Sequence, residues 1–405
     1  MAKNVFDTLL ERGFIKQTVY EEDLKRLLGA ESIRCYVGFD PTADSLHIGH
    51  YIPIMAMAHM QRAGHTPIAL IGGGTGMVGD PSGRSDMRMM MTAETVQHNC
   101  RRFQAQMARF MRFEGENAAL MANNADWLLR LNYIDFLREV GTHLSVNKML
   151  TYDCFKSRME KGLSFFEFNY MPMQAYDFLV LYRKYGCRLQ MGGNDQWSNI
   201  LAGADLIRRK EGADAYAMTF TLLETSDGKK MGKTQKGALW LDGEKTAPYE
   251  FFQYFRNVED VKVAECFKLL TFVELDEIAE LTRFRDERIN AAKVRLAFEV
   301  TKLVHGAAAA EDAKRQAEGA FGGDASDMPS LALTGDMRMP VADLLVAAKA
   351  APSKSEARRL IEGGGVRIND EKVSAVGAAV GDLTDSPVFI LHKGKKVHIR
   401  VTIKA

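Results

Sequence analysis

Apolar runs of strand length alternate with helical patterns through the first half of the chain. This alternation constrains the fold more than any other feature. Strands are predicted at 33–39, 67–71, 188–191 and 215–220, and helical patterns at 47–63 and 195–208 connect two pairs of them. Such alternation is typical of a parallel sheet with helices on both faces, in which ligands bind at the carboxyl ends of the strands. We therefore predict an α/β fold with a Rossmann-like parallel sheet.

A polar turn and two histidines follow the first of these strands. The turn contains Asp40-Pro41, and the next helical pattern opens at about His47, with His50 three residues further on the same face. The free N–H groups of a first helical turn attract anions, and two imidazoles could stabilise charge on a nucleotide's phosphates. Gly49 between them leaves room for a flat ring such as adenine. The His-x-Gly-His pattern alone is weak, and its position after a strand gives it weight.

A second candidate element is the glycine-flanked loop Gly228-Lys229-Lys230-Met231-Gly232-Lys233-Thr234. A P-loop needs four residues between its glycines, and this loop has three, so that interpretation fails. One alternative is a solvated surface turn, which is the usual role of a lysine cluster. The other is a flexible loop that closes over a triphosphate and supplies positive charge in the transition state.

Composition sets looser limits. The 405 residues, 46% of them hydrophobic, can bury a sizeable core in two or three domains. Lys and Arg number 53 against 52 Asp and Glu, so any nucleic-acid surface must be a local patch. Five cysteines without a Cys-x-x-Cys pair indicate neither a disulfide framework nor a zinc site. Without a signal peptide or a membrane-length apolar run, a cytoplasmic setting is the default expectation.

Three later segments depart from the strand–helix rhythm. A helical region at about 126–183 contains Phe165, Phe166 and Phe168, which indicate either a dimer interface or an ordinary core cluster. A purely helical pattern runs from 248 to about 320, and a Gly- and Asp-bearing linker follows. The last part, 340–405, has 11 basic and 7 acidic residues. We therefore expect a separate, net-positive small domain at the C-terminus.

The two motifs together resemble the paired signatures of class I aminoacyl-tRNA synthetases. The variant Lys230-Met231-Gly232-Lys233-Thr234 is similar to that of the bacterial tyrosyl-tRNA synthetases. So are longer stretches: Gly38 to His50, Gly72 to Ser82, Tyr170 to Asp177, and Gly192 to Trp197. Ser353 to Ile361 followed by Gly363 to Asn369 resembles the S4 RNA-binding domain, although an Arg-Arg pair is also common on a charged helix surface.

The resemblance implies a role for each matching residue. Residues that would bind the substrate tyrosine are Tyr36, Asp80, Tyr170, Gln174, Asp177 and Gln196. Residues that would bind ATP are Gly38, Asp40, Thr42, His47, Gly49, His50, Gly193, Asp195 and Lys233. Residues that would stabilise the reacting phosphates are His47, His50, Lys230, Lys233, Thr234, Arg84 and Arg88. Tyr170, Gln174 and Asp177 fall on one helical face, and three polar residues there favour a lined pocket over a core stripe.

The resemblance also implies an architecture and a reaction. The expected domains are 1–240, a Rossmann-like catalytic domain with the insertion at 126–183; 241–325, all-helical; a linker at 326–339; and 340–405, a small α+β S4-like domain. The chain would activate L-tyrosine with ATP and Mg²⁺, without zinc, and then charge tRNA(Tyr), with Lys354, Arg358 and Arg359 contacting RNA. A homodimer is expected. Two alternatives stay open: a tryptophanyl enzyme, which suits the Tyr36–Asp177 pair less well, and a non-catalytic RNA-binding relative.

Overall fold

The computed structural model describes residues 3–78, 80, 92–159, 162–234, 237–284, 286–322, 330–394 and 397–404. Arg84 and Arg88 lie outside the described residues, and the side chains of Lys233 and Thr234 are not described. The chain divides into two compact units, Met1–Ala307 and Ala308–Ala405.

The first unit is built on one mixed sheet, which confirms the predicted parallel core. Its described strands are β1 (Ile15–Thr18), β2 (Arg34–Phe39), β3 (Thr66–Ile71), β4 (Leu120–Asn123), β5 (Cys187–Gly193) and β6 (Tyr216–Phe220). Their order is β1-β6-β5-β2-β3-β4, and all neighbours are parallel except β1 and β6. The chain leaves β2 towards β3 on one side, and β5 continues towards β6 on the other. The switch point between β2 and β5 is where a sheet of this kind binds ligands.

Helices cover this sheet and continue beyond it. Those of the parallel-sheet region are α1 (Val5–Glu11), α2 (Glu21–Ala30), α3 (Tyr51–Arg62), α4 (Ala93–Met107), α5 (Ala125–Leu128), α6 (Tyr133–Glu139), α7 (Val146–Met149), α8 (Asp153–Met159), α9 (Phe165–Phe168), α10 (Tyr170–Tyr185) and α11 (Trp197–Glu211). Two short strands, β7 (Lys233–Thr234) and β8 (Gly237–Ala238), precede α12 (Pro248–Arg256), α13 (Val263–Leu270), α14 (Leu275–Leu281) and α15 (Ile289–His305). The expected helical run after residue 248 is therefore present.

Helix α10 shows how local sequence sets these bounds. It ends at Gly186, whose φ of 63° is the left-handed conformation that glycine adopts at little cost. Arg183 and Lys184 in its last turn complement the negative end of the helix dipole. Its inner face buries Met171, Ala175 and Phe178 against the sheet, in the same core cluster as Tyr36. The helix is therefore held firmly beside β2 and β5.

The second unit contains a small sheet with its own core. Helix α16 (Ala307–Gly322) leads into β9 (Ser330–Thr334), α17 (Val341–Ala347), α18 (Lys354–Glu362), β10 (Val366–Ile368), β11 (Glu371–Lys372), β12 (Val388–Lys393) and β13 (Val397–Lys404). The strand order is β11-β10-β12-β13-β9. Strand β9 lies within 326–339, the range assigned above to a linker, and pairs in parallel with β13. Among the described residues, no helix has the length and apolar character needed to cross a membrane.

Candidate active site at the switch point of the sheet

A buried polar pair lies beside the switch point. Tyr36 on β2 and Asp177 on α10 are each only 1% exposed, and Tyr36 packs on the ring of Phe178 at 5.3 Å between centroids. Burial raises the pKa of Tyr36 well above its usual value, and the nearby charge of Asp177 raises it further. Both residues were predicted from the sequence to bind the substrate tyrosine, and both are buried in the structure.

Two donors hold the Asp177 carboxylate. Asn124 Nδ2 donates to one oxygen at 2.8 Å, and Trp127 Nε1 donates to the other at 2.7 Å. Burial raises the pKa of Asp177 to about 7, while these hydrogen bonds lower it. Asn124 is itself fixed, because its Oδ1 accepts from Gly74 N at 2.7 Å and its Nδ2 also donates to Thr75 Oγ1. Neither Asn124 nor Trp127 was predicted from the sequence; they lie 53 and 50 residues before Asp177.

Several buried polar atoms around this pair have no hydrogen-bond partner among the described residues. They include Tyr36 Oη, Gln174 Oε1 and Gln190 Oε1. Gln190 on β5 lies opposite Tyr36 on β2 in the parallel register, and Gln174 lies one turn before Asp177 on α10. Buried polar groups are normally hydrogen-bonded, so a group of orphaned ones indicates a site for a ligand with complementary polar atoms. Gln190 was also missed; a glutamine inside an apolar strand was the available signal.

The carboxyl ends of the strands carry the other predicted substrate contacts. Gln196 Nε2 donates to Asp80 Oδ2, so these two residues, both predicted to bind the substrate tyrosine, lie together. Tyr170 is buried at the start of α10, and Asp195 is exposed in the turn after β5. A Cβ added at Gly38 would meet no atom within 4 Å, so the end of β2 borders open space. Asp40 and Thr42 follow directly in the next turn.

The two histidines form a closed local arrangement at the entrance to α3. A short 3₁₀ turn (Ile48–His50) precedes the helix; His47 Nδ1 accepts from Gly49 N at 3.0 Å, and His50 Nδ1 accepts from His47 N at 3.2 Å. Their rings stack with 4.0 Å between centroids. Burial lowers the pKa of His47 and lowers that of His50 well below its usual value. Each ring is therefore neutral near pH 7 and carries its proton on Nε2, which makes it a hydrogen-bond donor.

Gly49 was expected from the sequence to leave room for a flat ring, and the structure adds a local steric reason for a glycine at this position. A Cβ at this position would lie 2.8 Å from His47 Cε1 and would displace the histidine ring. The absence of a side chain thus protects the ring geometry of the motif, and the residue is exposed on its outer side.

The segment that follows the lysine loop is joined to the histidine motif by main-chain hydrogen bonds. Ile48 N donates to Leu239 O at 2.9 Å, and Leu241 N donates to Leu46 O at 2.9 Å. Lys230 Nζ forms an ion pair with Asp195 at 2.9 Å, so it already contacts a predicted ATP ligand. Lys229 pairs with Asp227 instead, at 2.5 Å. The structure therefore brings together the two motifs that lie far apart in the sequence.

The predicted RNA contacts lie on α18 in the second unit. Ser353 Oγ caps this helix by accepting from Glu356 N at 3.2 Å. Lys354 pairs with Asp343 at 2.8 Å and Arg359 with Glu356 at 3.7 Å, while Arg358 is exposed. These three basic side chains lie at the surface of the small sheet domain.

Comparison with known proteins shows that both compact units match families of tRNA synthetases. Residues 29–322 match the family described as tRNA synthetases class I (W and Y), and residues 321–401 match the tyrosine--tRNA ligase SYY-like C-terminal domain. The first match covers most of the chain and defines the class of protein, an aminoacyl-tRNA synthetase that uses ATP.

Full-length relatives define the family within that class. A tyrosine--tRNA ligase of Clostridium botulinum (strain Hall) is 58% identical over 407 residues, covering 99% of this chain and 100% of the relative. One from Acetivibrio thermocellus is 58% identical over 406 residues, covering 99% of both chains. A C-terminally truncated mitochondrial tyrosyl-tRNA synthetase of Aspergillus nidulans superimposes with a TM-score of 0.70 at 29% identity, covering 78% of this chain and 93% of that one. The chain belongs to the bacterial tyrosine--tRNA ligases, and the tryptophanyl and non-catalytic alternatives fall away.

Proposed function

We propose that the chain joins L-tyrosine to ATP, forming tyrosyl-adenylate and pyrophosphate, and then transfers the tyrosyl group to the 3′-terminal ribose of tRNA(Tyr). The observation that carries this proposal is the buried Asp177 carboxylate beside the orphaned hydroxyl of Tyr36. A phenol supplies one donor for the carboxylate and one acceptor for the hydroxyl. An indole supplies a donor only and would leave Tyr36 Oη without a partner.

The tyrosine pocket follows from the same inventory of donors and acceptors. The Asp177 carboxylate accepts one hydrogen bond on each oxygen and keeps lone pairs for the phenol hydrogen. The substrate ammonium group needs oxygen acceptors, which Asp80, Tyr170 and Gln174 would supply; the orphaned Gln174 Oε1 supports this assignment. Gln190 Oε1 would accept a further donor from the bound ligand, and Gln196 would hold Asp80 in place.

Adenylate formation would use positioning and charge, without a protein nucleophile. A carboxylate oxygen of tyrosine attacks the α-phosphorus of ATP, and the bond to the bridging oxygen of pyrophosphate breaks. Asp40, Thr42 and Asp195 would hold the nucleoside, with Gly38, Gly49 and Gly193 allowing close approach of the backbone. His47 and His50 would donate from Nε2 to the phosphates.

The leaving pyrophosphate would be neutralised by the lysine loop. Lys230 would exchange Asp195 for phosphate, and Lys233, Thr234, Arg84 and Arg88 would join it. Exposed ion pairs contribute little stability, so this exchange of partners costs little. Magnesium would enter with ATP, held by phosphate oxygens and waters, as is usual for this cation. We assign it no protein ligand.

The second unit would bind the tRNA. Lys354, Arg358 and Arg359 lie on one short helix of a domain with a net positive charge. Contacts of such side chains with phosphates provide affinity that weakens with salt. Lys354 and Arg359 would exchange their carboxylate partners for the RNA backbone.

We further propose a homodimer that uses the α9 turn. Phe165 is 69% exposed and Phe166 is 56% exposed. A reciprocal capping box between Ser164 and Glu167 fixes this turn, so the exposed rings are held in place. Aromatic side chains are enriched in protein interfaces. Replacing both rings with aspartate should shift sedimentation towards the monomer, whereas aspartate at the exposed Val261 should not; equal sedimentation of both variants would contradict the proposal.

We also propose a cytoplasmic setting, with which the buried thiols of Cys35, Cys187 and Cys266 agree, because they behave as small apolar side chains and form no disulfide bond among the described residues. Locating the tagged protein by cell fractionation would test this assignment.

Amino-acid-dependent exchange of pyrophosphate into ATP tests the proposed activity most directly. We expect exchange with tyrosine and little with tryptophan or phenylalanine at equal concentration. Omission of amino acid is the control for contaminating ATP turnover. Exchange driven equally by tryptophan would overturn the assignment of the pocket to a phenol.

A further inference from the structure

Gly232, at the centre of the lysine loop, is fixed by both of its main-chain polar groups. Its N–H donates to the hydroxyl of Tyr254 at 2.7 Å, and its carbonyl accepts from Leu239 N at 2.9 Å. Its φ is +88°, and a Cβ would lie 1.7 Å from Ile48 Cγ2. The glycine is therefore pressed against the histidine motif on one side and held by Tyr254 through its amide.

This glycine is a pivot between two parts of the loop. Residues 223–231 form a narrow turn closed by the bonds from Met231 N to Leu223 O at 2.8 Å and from Thr225 N to Lys229 O at 2.8 Å. Strand β7 begins immediately after Gly232. Lys230 lies two residues before the pivot and Lys233 one residue after it. The orientation of Gly232 therefore determines the main-chain positions from which the side chains of Lys230 and Lys233 extend.

Tyr254 is well placed to fix this pivot. It lies on α12 between the buried Phe251, Phe252 and Phe255, and this helix packs on α15. Its own ring is half-buried against Phe255, with 5.2 Å between centroids. A cavity of about 770 Å³ borders the loop and is lined by Lys230, Gly232 and Tyr254, among others. Because open space adjoins the loop on the side of this cavity, side-chain packing contributes little to its position there. The hydrogen bond from Gly232 N to the Tyr254 hydroxyl therefore fixes the position of the loop on that side.

We propose that Tyr254 is a positioning residue for adenylate formation: its hydroxyl anchors Gly232 so that Lys230 and Lys233 reach the phosphates together. The inference rests on the proposed function, in which these lysines act on the leaving pyrophosphate. Tyr254 itself touches no reacting atom in this scheme. Its effect is therefore expected in the rate of the chemical step and not in the affinity for tyrosine.

The test compares two tyrosines of the same helix. Tyr254→Phe removes the hydroxyl and keeps the ring, and it should lower the single-turnover rate of adenylate formation about three- to tenfold, the range for one lost neutral hydrogen bond. The KM for tyrosine should stay unchanged. Tyr249→Phe is the matched control, because that half-buried hydroxyl accepts from Gln253 at 3.1 Å within α12. It should react at the wild-type rate.

A double-mutant cycle separates positioning of the loop from general weakening of the fold. If Tyr254 acts through the lysines, Tyr254→Phe should slow a Lys233→Ala protein much less than it slows the wild type. Fully additive effects, or a wild-type rate for Tyr254→Phe, would overturn the inference. Absence of tyrosine-dependent exchange in both the wild type and Tyr249→Phe would instead overturn the proposed function.

Discussion

Asp177 is a carboxyl group whose surroundings disfavour its charge. Burial raises its pKa from 3.8 to about 7, so between these values the folded protein binds more protons at this group than the unfolded chain does. Its contribution to stability therefore falls as the pH rises through this window, and the full destabilisation is present above about pH 7. In the proposed phenol pocket, this carboxylate is the acceptor for the substrate hydroxyl.

Replacing the Asp177 carboxylate should lower the activity and raise the stability of the protein. We expect Asp177→Asn to weaken tyrosine binding and to gain unfolding free energy relative to the wild type as the pH rises from about 4 to about 8, by up to about 4 kcal/mol. Thermal melts of the ligand-free proteins across this range measure the effect. Asp126→Asn, at an exposed carboxylate two residues after Asn124, is the control. Parallel pH profiles for wild type and Asp177→Asn would show that the buried charge carries no such cost.

Tyr36 should matter for selectivity more than for stability. In the Tyr36→Phe variant, the phenol oxygen of the substrate tyrosine loses its hydrogen-bond donor. The competing substrate phenylalanine has no such oxygen, so its binding loses no hydrogen bond. We expect kcat/KM for tyrosine to fall by about tenfold and that for phenylalanine to change little. Pyrophosphate exchange with both amino acids measures the ratio. An unchanged ratio would remove Tyr36 from the hydroxyl end of the pocket.

The sequence supplies candidates for contact with a ligand more readily than it supplies the residues that hold those candidates in place. Tyr36 and Asp177 belong to recognisable motifs, whereas Asn124 and Trp127 lie 53 and 50 residues before Asp177. No local pattern connects positions so far apart, because the fold alone brings β4 and α5 against α10. Side-chain donors that hold a buried carboxylate can therefore not be found from local motifs.

At the level of elements, long periodic segments were predictable and short ones were not. The strands at 34–39 and 66–71 match the predicted ranges within one residue, since apolar runs of that length have few alternatives. The insertion instead contains helices as short as four residues, such as Val146–Met149. Such turns depend on capping and tertiary packing, not on periodicity. The same holds for β7, which exists only through its pairing with β8.

The lysine loop gives the prediction at this scale. Lys230→Ala, Lys233→Ala and His47→Ala should each lower the single-turnover rate of adenylate formation, by about 100-fold for the lysines, with a smaller change in ATP affinity. Lys230 is paired with Asp195, so we expect its proposed contact with phosphate to form only when this ion pair opens.

Lys229→Ala is the matched control for that loop series. Lys229 is exposed and paired with Asp227, so its removal should leave the rate near that of the wild type. A rise in ATP KM at constant single-turnover rate for Lys230→Ala or Lys233→Ala would contradict a transition-state role and indicate simple anchoring of the nucleotide.

At the scale of the whole molecule, the division of labour follows the two compact units. Every proposed tyrosine and ATP contact precedes residue 235, while the proposed RNA contacts lie after residue 353. Strand β9 belongs to the C-terminal sheet, so a cut near Asp336 would leave Ser330–Thr334 without its partner β13. Ending the chain after Gly322 removes the sheet as a whole and avoids an unpaired strand edge.

This truncation should separate the two steps of the reaction. We expect tyrosine-dependent pyrophosphate exchange to persist, because the sheet of the first unit and its switch point are untouched, and charging of tRNA to fall severely. The matched full-length variant with alanine at Lys354, Arg358 and Arg359 should reproduce part of the charging defect. In the wild type, charging should also weaken with rising salt more steeply than exchange does, since phosphate contacts release counterions. Full charging by the truncated chain would place the tRNA-binding surface in the first unit.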